Sequence, residues 1–212
     1  MTTAELPNGY YARAPTTDDL DELAALLVAH EQARFGKAEW AAPAARAWIA
    51  SVWATPGFDV RRDAQIVLAS TGAIAAYATL WRPDDASGFF VASPRLEPRY
   101  QPLGLDAFLL RWAEPLARQR AAALPSGVTA ALNSWVNGPD QPAEDMLARE
   151  GFTLEQRYLR MEITMQAPPP APAWPAGITA RAFVTGRDER AVFDLMQAAF
   201  AGGNDAYVAT FE

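Results

Sequence analysis

The sequence predicts an α/β (α+β) fold: a mixed sheet with helices on its faces, followed by the opening strand and helix of a second copy. Three observations predict it. Apolar residues recur at three- and four-residue spacing in some stretches and in short continuous runs in others. A Ser-Thr-Gly turn joins two of those runs. A strand-turn-helix opening occurs twice. The 212 residues are 50% apolar and 20% charged, a composition that buries a core, and the length fits one ordinary domain or one domain and part of another.

Residues 10–14 read as a first strand. Residues 18 to about 34 form a helix, with Leu20, Leu23, Leu27 and His30 on one face. Four acids in its first turns favour the positive end of the dipole. Residues 43–53 are a second helix carrying Trp48, Ile49, Val52 and Trp53. Residues 65–69 and 73–81 flank Ser70-Thr71-Gly72 as a hairpin, and residues 88–93 are a fourth strand. Leu105, Phe108, Leu109, Trp112 and Leu116 mark a core-facing helix over about 104–123, which Pro115 should kink or divide. Residues 127–132 are a fifth strand and 142–150 a short helix. Residues 152–156 and 158–165 are expected as closing strands. The Trp residues at 40, 48, 53, 81, 112 and 135 fall mostly on apolar faces and read as core.

Residues 167–176 hold five of the 17 prolines and read as a stiff linker. On either side stand Ala12-Arg13-Ala14 with Thr16-x-x-Asp19, and Ala180-Arg181-Ala182 with Thr185-x-x-Asp188, each followed by apolar residues in matching positions. Thr-x-x-Asp before an apolar helical pattern caps a helix start. The expected organisation is a domain over 1–166, a linker over 167–176 and an incomplete second domain opening over 177–212, as in a truncated two-domain protein. A strand and a helix alone bury no core.

The net charge of −7 without a basic run leaves no footprint for nucleic acid. Cys is absent and His30 is the single histidine, so thiolate catalysis, disulfides, Cys-ligated metals and multi-His metal centres are excluded. The first 14 residues lack the pattern of a signal peptide, and no apolar window approaches a membrane span. The expectation is a soluble, cytoplasmic protein with no metal, no nucleic acid partner and no membrane.

Phe89-Phe90-Val91, then Gln101-Pro102-Leu103-Gly104-Leu105-Asp106 and Ala107-Phe108-Leu109-Leu110-Arg111-Trp112, resemble the GNAT N-acetyltransferase superfamily, as does the element order. Residues Met146-Leu147-Ala148-Arg149-Glu150-Gly151-Phe152 resemble the turn before that family's last two strands. The second opening resembles tandem members of the mycothiol synthase type. The resemblance implies a mostly antiparallel sheet. It implies acetyl-CoA as co-substrate, held through Phe90, Val91, Gln101, Gly104, Asp106, Ala107 and Asn137, with the pyrophosphate on a helix N-terminus. It also implies a small-molecule or peptide amine as acceptor, attacking the thioester directly in a ternary complex. A homodimer, or contact with a second domain, would complete the assembly.

Several residues depart from the family pattern. Asp106 stands where the family has Gly or Ala, and its carboxylate would oppose a pyrophosphate; read alone, it complements a helix dipole. Pro102 removes an amide from the cradle. Leu147 replaces a Tyr acid. Arg95 and Arg99 are candidate phosphate partners, and equally solvated loop residues. Glu97 is the nearest candidate base by position, against the plain reading of an exposed loop acid. Asn133 and Asn137 suit either cofactor contact or ordinary turns. His30 reads as a core or helix-end histidine. No catalytic residue is assigned, and the alternative function is a silent GNAT-like scaffold or weak acyl-CoA-binding domain.

Overall fold

A computed structural model describes residues 5–82, 88–136, 138, 140–159, 161–200 and 211. The chain divides into two compact units, Met1–Thr153 and Leu154–Glu212.

In the first unit, β1 (Tyr11–Arg13) leads through a 3-10 turn into α1 (Leu20–Phe35), and α2 (Ala42–Trp53) follows. The Arg13 guanidinium clasps the Asp19 carboxylate through two bonds of 2.8 and 2.7 Å, and the Thr16 N–H donates to the same carboxylate. This fixes the strand-to-helix corner and uses charge-assisted bonds to do so. Gly36, at φ 72°, ends α1, a left-handed conformation that glycine adopts without penalty. The Glu22 carboxylate accepts the Ile74 N–H at 2.6 Å, tying α1 to the sheet.

After a short helix α3 (Val60–Asp63) come β2 (Ala64–Leu68), β3 (Ile74–Trp81), β4 (Phe89–Ala92) and the two-residue β5 (Arg95–Leu96). Helix α4 (Leu105–Ala121), β6 (Ala131–Asn133) and α5 (Gln141–Arg149) complete the unit. The sheet order is β1-β2-β3-β4-β6, with β5 pairing β3. Every pairing is antiparallel except β4 with β6, where Phe89, Phe90 and Val91 lie opposite Ala131, Leu132 and Asn133. It is a mixed, mostly antiparallel sheet flanked by helices.

One face of the sheet packs on α1 and α2 through Leu23, Leu27, Ile49, Ile66 and Tyr77. The other packs on α4 through Leu105 and Leu109 against Val67, Ala76 and Ala78, and through Leu110 and Ala113 against Leu80 and Phe90. Each fully buried Leu or Ile contributes about 1.5–3 kcal/mol relative to exposure. Tyr77 is buried in this core, which raises its hydroxyl pKa, and its oxygen accepts the Trp53 indole N–H at 3.0 Å.

Several sequence expectations are corrected. Helix α4 runs through Pro115 without dividing; its buried stripe of Leu109, Leu110, Ala113 and Ala117 holds both halves on one face. The fifth strand is Ala131–Asn133 alone, because Gly127 turns at φ 89° and pairing with β4 starts only at Ala131. The tryptophans read as core divide: Trp40, Trp53 and Trp112 pack against the buried clusters, whereas Trp48 and Trp135 are each 43% exposed. The expected closing strands over 152–156 and 158–165 are not formed among the described residues. Their alternation is visible in the sequence, but Leu159, Met161 and Ile163 are exposed, and an alternating segment without a neighbouring strand has no ladder to join.

Among its described residues, the second unit contains one helix, α6 (Glu189–Phe200). Residues 178–184 form no strand there, since β1 exists by pairing with β2 and no counterpart of β2 lies beside them among the described residues. The corner itself is reproduced. Arg181 clasps Asp188 through both carboxylate oxygens, and the Val184 N–H donates to Asp188 at 2.8 Å. Val192, Leu195, Met196 and Phe200 of α6 are exposed. Among the described residues, no helix is long and apolar enough to cross a membrane.

Candidate functional site

The site grows from the one parallel pairing among the described residues. Strands β4 and β6 run side by side for three residues and then lose each other. After β4 the chain passes through Ser93-Pro94, and the next residues join β3 as β5. Pro94 donates no amide and so cannot continue a ladder. After β6 the chain passes into Ser134, Trp135 and Val136, and the Trp135 N–H donates back to Ser93 Oγ at 3.1 Å. The parting leaves a solvent-open cleft lined by His30, Glu31, Arg34, Phe35, Pro94, Arg95, Leu96, Asp106, Ser134, Trp135, Val136, Asp140, Ala143, Met146 and Leu147.

Three elements converge there. The last turns of α1 supply His30, Glu31 and Arg34. The His30 Nδ1 lies 3.2 Å from the Leu96 nitrogen and 3.0 Å from its carbonyl oxygen, so one tautomer accepts the N–H and the other donates to the carbonyl. Burial, then the nearby Arg95, brings the His30 pKa down to about 4, and the imidazole is neutral at pH 7. Arg34 forms an ion pair with Asp140, the residue capping α5; Asp140 also accepts the Ala143 N–H at 3.1 Å. Burial lowers the Arg95 pKa, with Glu31 opposing that shift. Among the described residues no three His, Asp or Glu side chains gather as a metal site.

The helix start expected to hold a pyrophosphate is the beginning of α4. Gly104 stands at its N-cap with φ 69°, which presents the first-turn amides. The Asp106 Oδ1 accepts the Ala107 N–H at 2.9 Å, so one of those amides is already occupied by the chain's own carboxylate. Gln101 and Pro102 lie in the preceding 3-10 turn, Pro98–Leu103. The helix start therefore fits an acyl-CoA pyrophosphate in part: Gly104 and the dipole favour it, and Asp106 opposes it.

The structure sorts the other residues singled out by sequence. The Phe90 side chain is wholly buried in the core and Val91 nearly so, which leaves their main chain facing β6. Asn133 donates to the Phe90 carbonyl at 3.3 Å. Asn137 lies outside the described residues. Glu97 caps the 3-10 turn and pairs with Arg99 at 2.7 Å, and Arg99 also covers the Tyr100 ring; neither lines the cleft. Arg95 and Leu147 do. Sequence reasoning missed Arg34, Asp140 and Trp135 as cleft residues. The pairing of Arg34 with Asp140 joins α1 to α5 and leaves no trace in local spacing.

No family model matches the chain. A mycothiol acetyltransferase of Salinispora arenicola is 32% identical over 136 residues, covering 64% of this chain and 40% of that protein. A GCN5-related N-acetyltransferase structure from Sphaerobacter thermophilus superposes with a TM-score of 0.73 at 30% identity, over 92% of this chain and 60% of that one. The chain resembles the GNAT N-acetyltransferases and has their fold. A Salmonella typhimurium structure described with its cofactor acetyl-CoA shares the fold at TM-score 0.51 and 18% identity, covering 70% of this chain and 82% of that one. The chain spans less than half the length of the curated relative, and the resemblance is to mycothiol synthase-like members of the GNAT group.

Proposed function

We propose that the protein to which this chain belongs is an acetyl-CoA-dependent N-acetyltransferase acting on a small-molecule amine in the cytoplasm. The single observation that carries the reading is the parallel β4–β6 pair that parts beside Gly104 and the start of α4, in a chain similar to a mycothiol acetyltransferase. The amine lone pair forms the new C–N bond, the thioester C–S bond breaks, and the amine proton leaves for the departing coenzyme A thiolate or for water. Such a reaction needs orientation and a neutral amine more than a protein nucleophile. That demand suits a chain without Cys and with one buried His. Gln101, Gly104, Asp106 and Ala107 would hold the donor's pyrophosphate end, the main chain of Phe90 and Val91 its pantetheine arm, and Asn137 would flank it. The domain proposal is GNAT-like over 1–166, a linker over 167–176, and a second GNAT-like opening over 177–212. Its support is the repeated Arg–Asp clasp, Arg13–Asp19 and Arg181–Asp188.

A second reading has its own observation. Asp106 on the Ala107 amide favours a silent scaffold supporting a partner domain. Release of free thiol from acetyl-CoA over a panel of primary amines separates the two. Amine-dependent release supports the transferase; its absence across the panel, in the full-length protein as well as this chain, supports the scaffold.

A further inference from the structure

The cleft carries both signs of charge, and its cations are poorly satisfied from within. Arg34 has 12% of its side chain exposed and forms its ion pair to Asp140 through Nη1, while Nε is buried with no hydrogen-bond partner among the described residues. The Arg95 guanidinium donates to the neighbouring Pro94 carbonyl at 3.2 Å. It is desolvated close to Arg34, which disfavours its charge further. Two guanidiniums thus face one space with most of their donors unspent, and a planar oxyanion is the group that a guanidinium fork matches. Glu31 and Asp106 line the same cleft, so the remaining charge there is negative and suits an ammonium.

We propose that Arg34 and Arg95 form a carboxylate seat and that the acceptor is an amine that also bears a carboxylate, with Asp140 occupying the seat at Arg34 when the acceptor is absent. This rests on the acetyl-transfer reading for the fate of the amine, and on the cleft alone for the carboxylate. A phosphate group is disfavoured: its second negative charge would sit beside Asp106, Asp140 and Glu31, which line the same cleft, and like charges repel. Binding exchanges one carboxylate for another at Arg34, so the internal ion pair weakens acceptor affinity and keeps the empty cleft from exposing an unpaired buried cation.

His30 is the chain's single histidine and lines the cleft beside both arginines, so its imidazole NMR signals report on this space alone. The test titrates this chain at pH 7, constant ionic strength and no acetyl-CoA, with glycine, acetate, ethylamine and inorganic phosphate in turn. Glycine is expected to move the His30 signals saturably, acetate more weakly, and ethylamine not at all over the same range. Arg95→Met should weaken glycine roughly tenfold or more, the loss of one charge-assisted bond. Asp140→Asn retains a helix-capping side chain and should tighten glycine by about 3- to 10-fold, because Arg34 loses its internal partner. Arg34→Lys, checked for folding by circular dichroism, should weaken it. Equal responses to ethylamine and glycine, a tighter response to phosphate, or an unchanged affinity in Asp140→Asn would each overturn the seat. Thiol release from acetyl-CoA is measured separately. Glycine binding without release would fault the transferase reading and leave the seat standing. Release that is as fast with ethylamine as with glycine, and no His30 response, would do the reverse.

Discussion

Gly88→Ala should destabilise the first unit and open the β4–β6 pair. A Cβ built on Gly88 falls 2.0 Å from the Thr129 carbonyl oxygen, 2.8 Å from its carbon and 3.0 Å from the Ala130 Cα. All three are main-chain atoms, so no side chain can rotate away. Ordinary contact starts at 3.4 Å, and the segment before β6 must retreat by about 1.4 Å. That movement stretches the Ala131 N–H to Gly88 carbonyl bond, now 2.8 Å. Overpacking costs about 1–3 kcal/mol and a lost backbone hydrogen bond about 1 kcal/mol, together about 2–4 kcal/mol. At roughly 2–4 °C per kcal/mol for a domain of this size, Tm should fall by roughly 4–16 °C. Thermal unfolding followed by circular dichroism measures it, with Gly72→Ala as control. Gly72 has open space around its Cβ position and φ +86°, so its substitution carries backbone strain alone, about 1–2 kcal/mol. A Gly88→Ala protein that melts within 2 °C of the parent would refute the close approach, and with it the parallel pairing that frames the cleft.

Three further outcomes are expected. Asp106→Gly frees the Ala107 amide and removes a like charge worth about 1–4 kcal/mol against pyrophosphate at 4 Å; acetyl-CoA should bind at least about fivefold tighter, and unchanged affinity by calorimetry would place the pyrophosphate elsewhere. Leu109→Ala, at a fully buried position between α4 and the sheet, should cost about 2–5 kcal/mol in urea unfolding; a loss below 1 kcal/mol would contradict that packing. The His30 imidazole titrates near 4 in the fold and 6.5 ordinarily, so between those values the unfolded chain holds the extra proton. Stability should therefore fall as pH drops from 6.5 towards 4, by up to about 3 kcal/mol, and His30→Gln should flatten that window. Arg95, Arg34 and Asp140 are the charges acting on His30. Asp19 and Asp63, whose pKa values are lowered, act below it. A His30 midpoint near 6.5 by NMR would contradict the burial.

What the sequence made legible was periodic or local. Leu20, Leu23 and Leu27 announce α1 because burial on one face requires three- and four-residue spacing, and Ser70-Thr71-Gly72 announces the hairpin because Gly72 supplies a positive φ. Two-residue β5 and four-residue α3 carry too few residues for any period to show. The alternation over 158–165 promised a strand that only a neighbouring strand could provide. Gly104 marked the helix start, and Asp106 was visible as a departure, but the bond from its carboxylate to the Ala107 amide depends on a side-chain rotamer that no spacing encodes. Arg34 and Asp140 lie 106 positions apart, and no spacing rule joins them. His30 was read as a core histidine and is indeed buried; that it also borders the cleft follows from Pro94 turning β5 towards α1.

Calorimetric titration of this chain with acetyl-CoA at low and moderate salt reads the acyl-donor site itself. Saturable binding is expected with Kd in the micromolar range, about 10⁻⁶ to 10⁻⁴ M, weakening with salt as phosphates are screened. No detectable heat into the millimolar range would contradict it: the parted β4–β6 strands and the start of α4 would then hold no acyl donor.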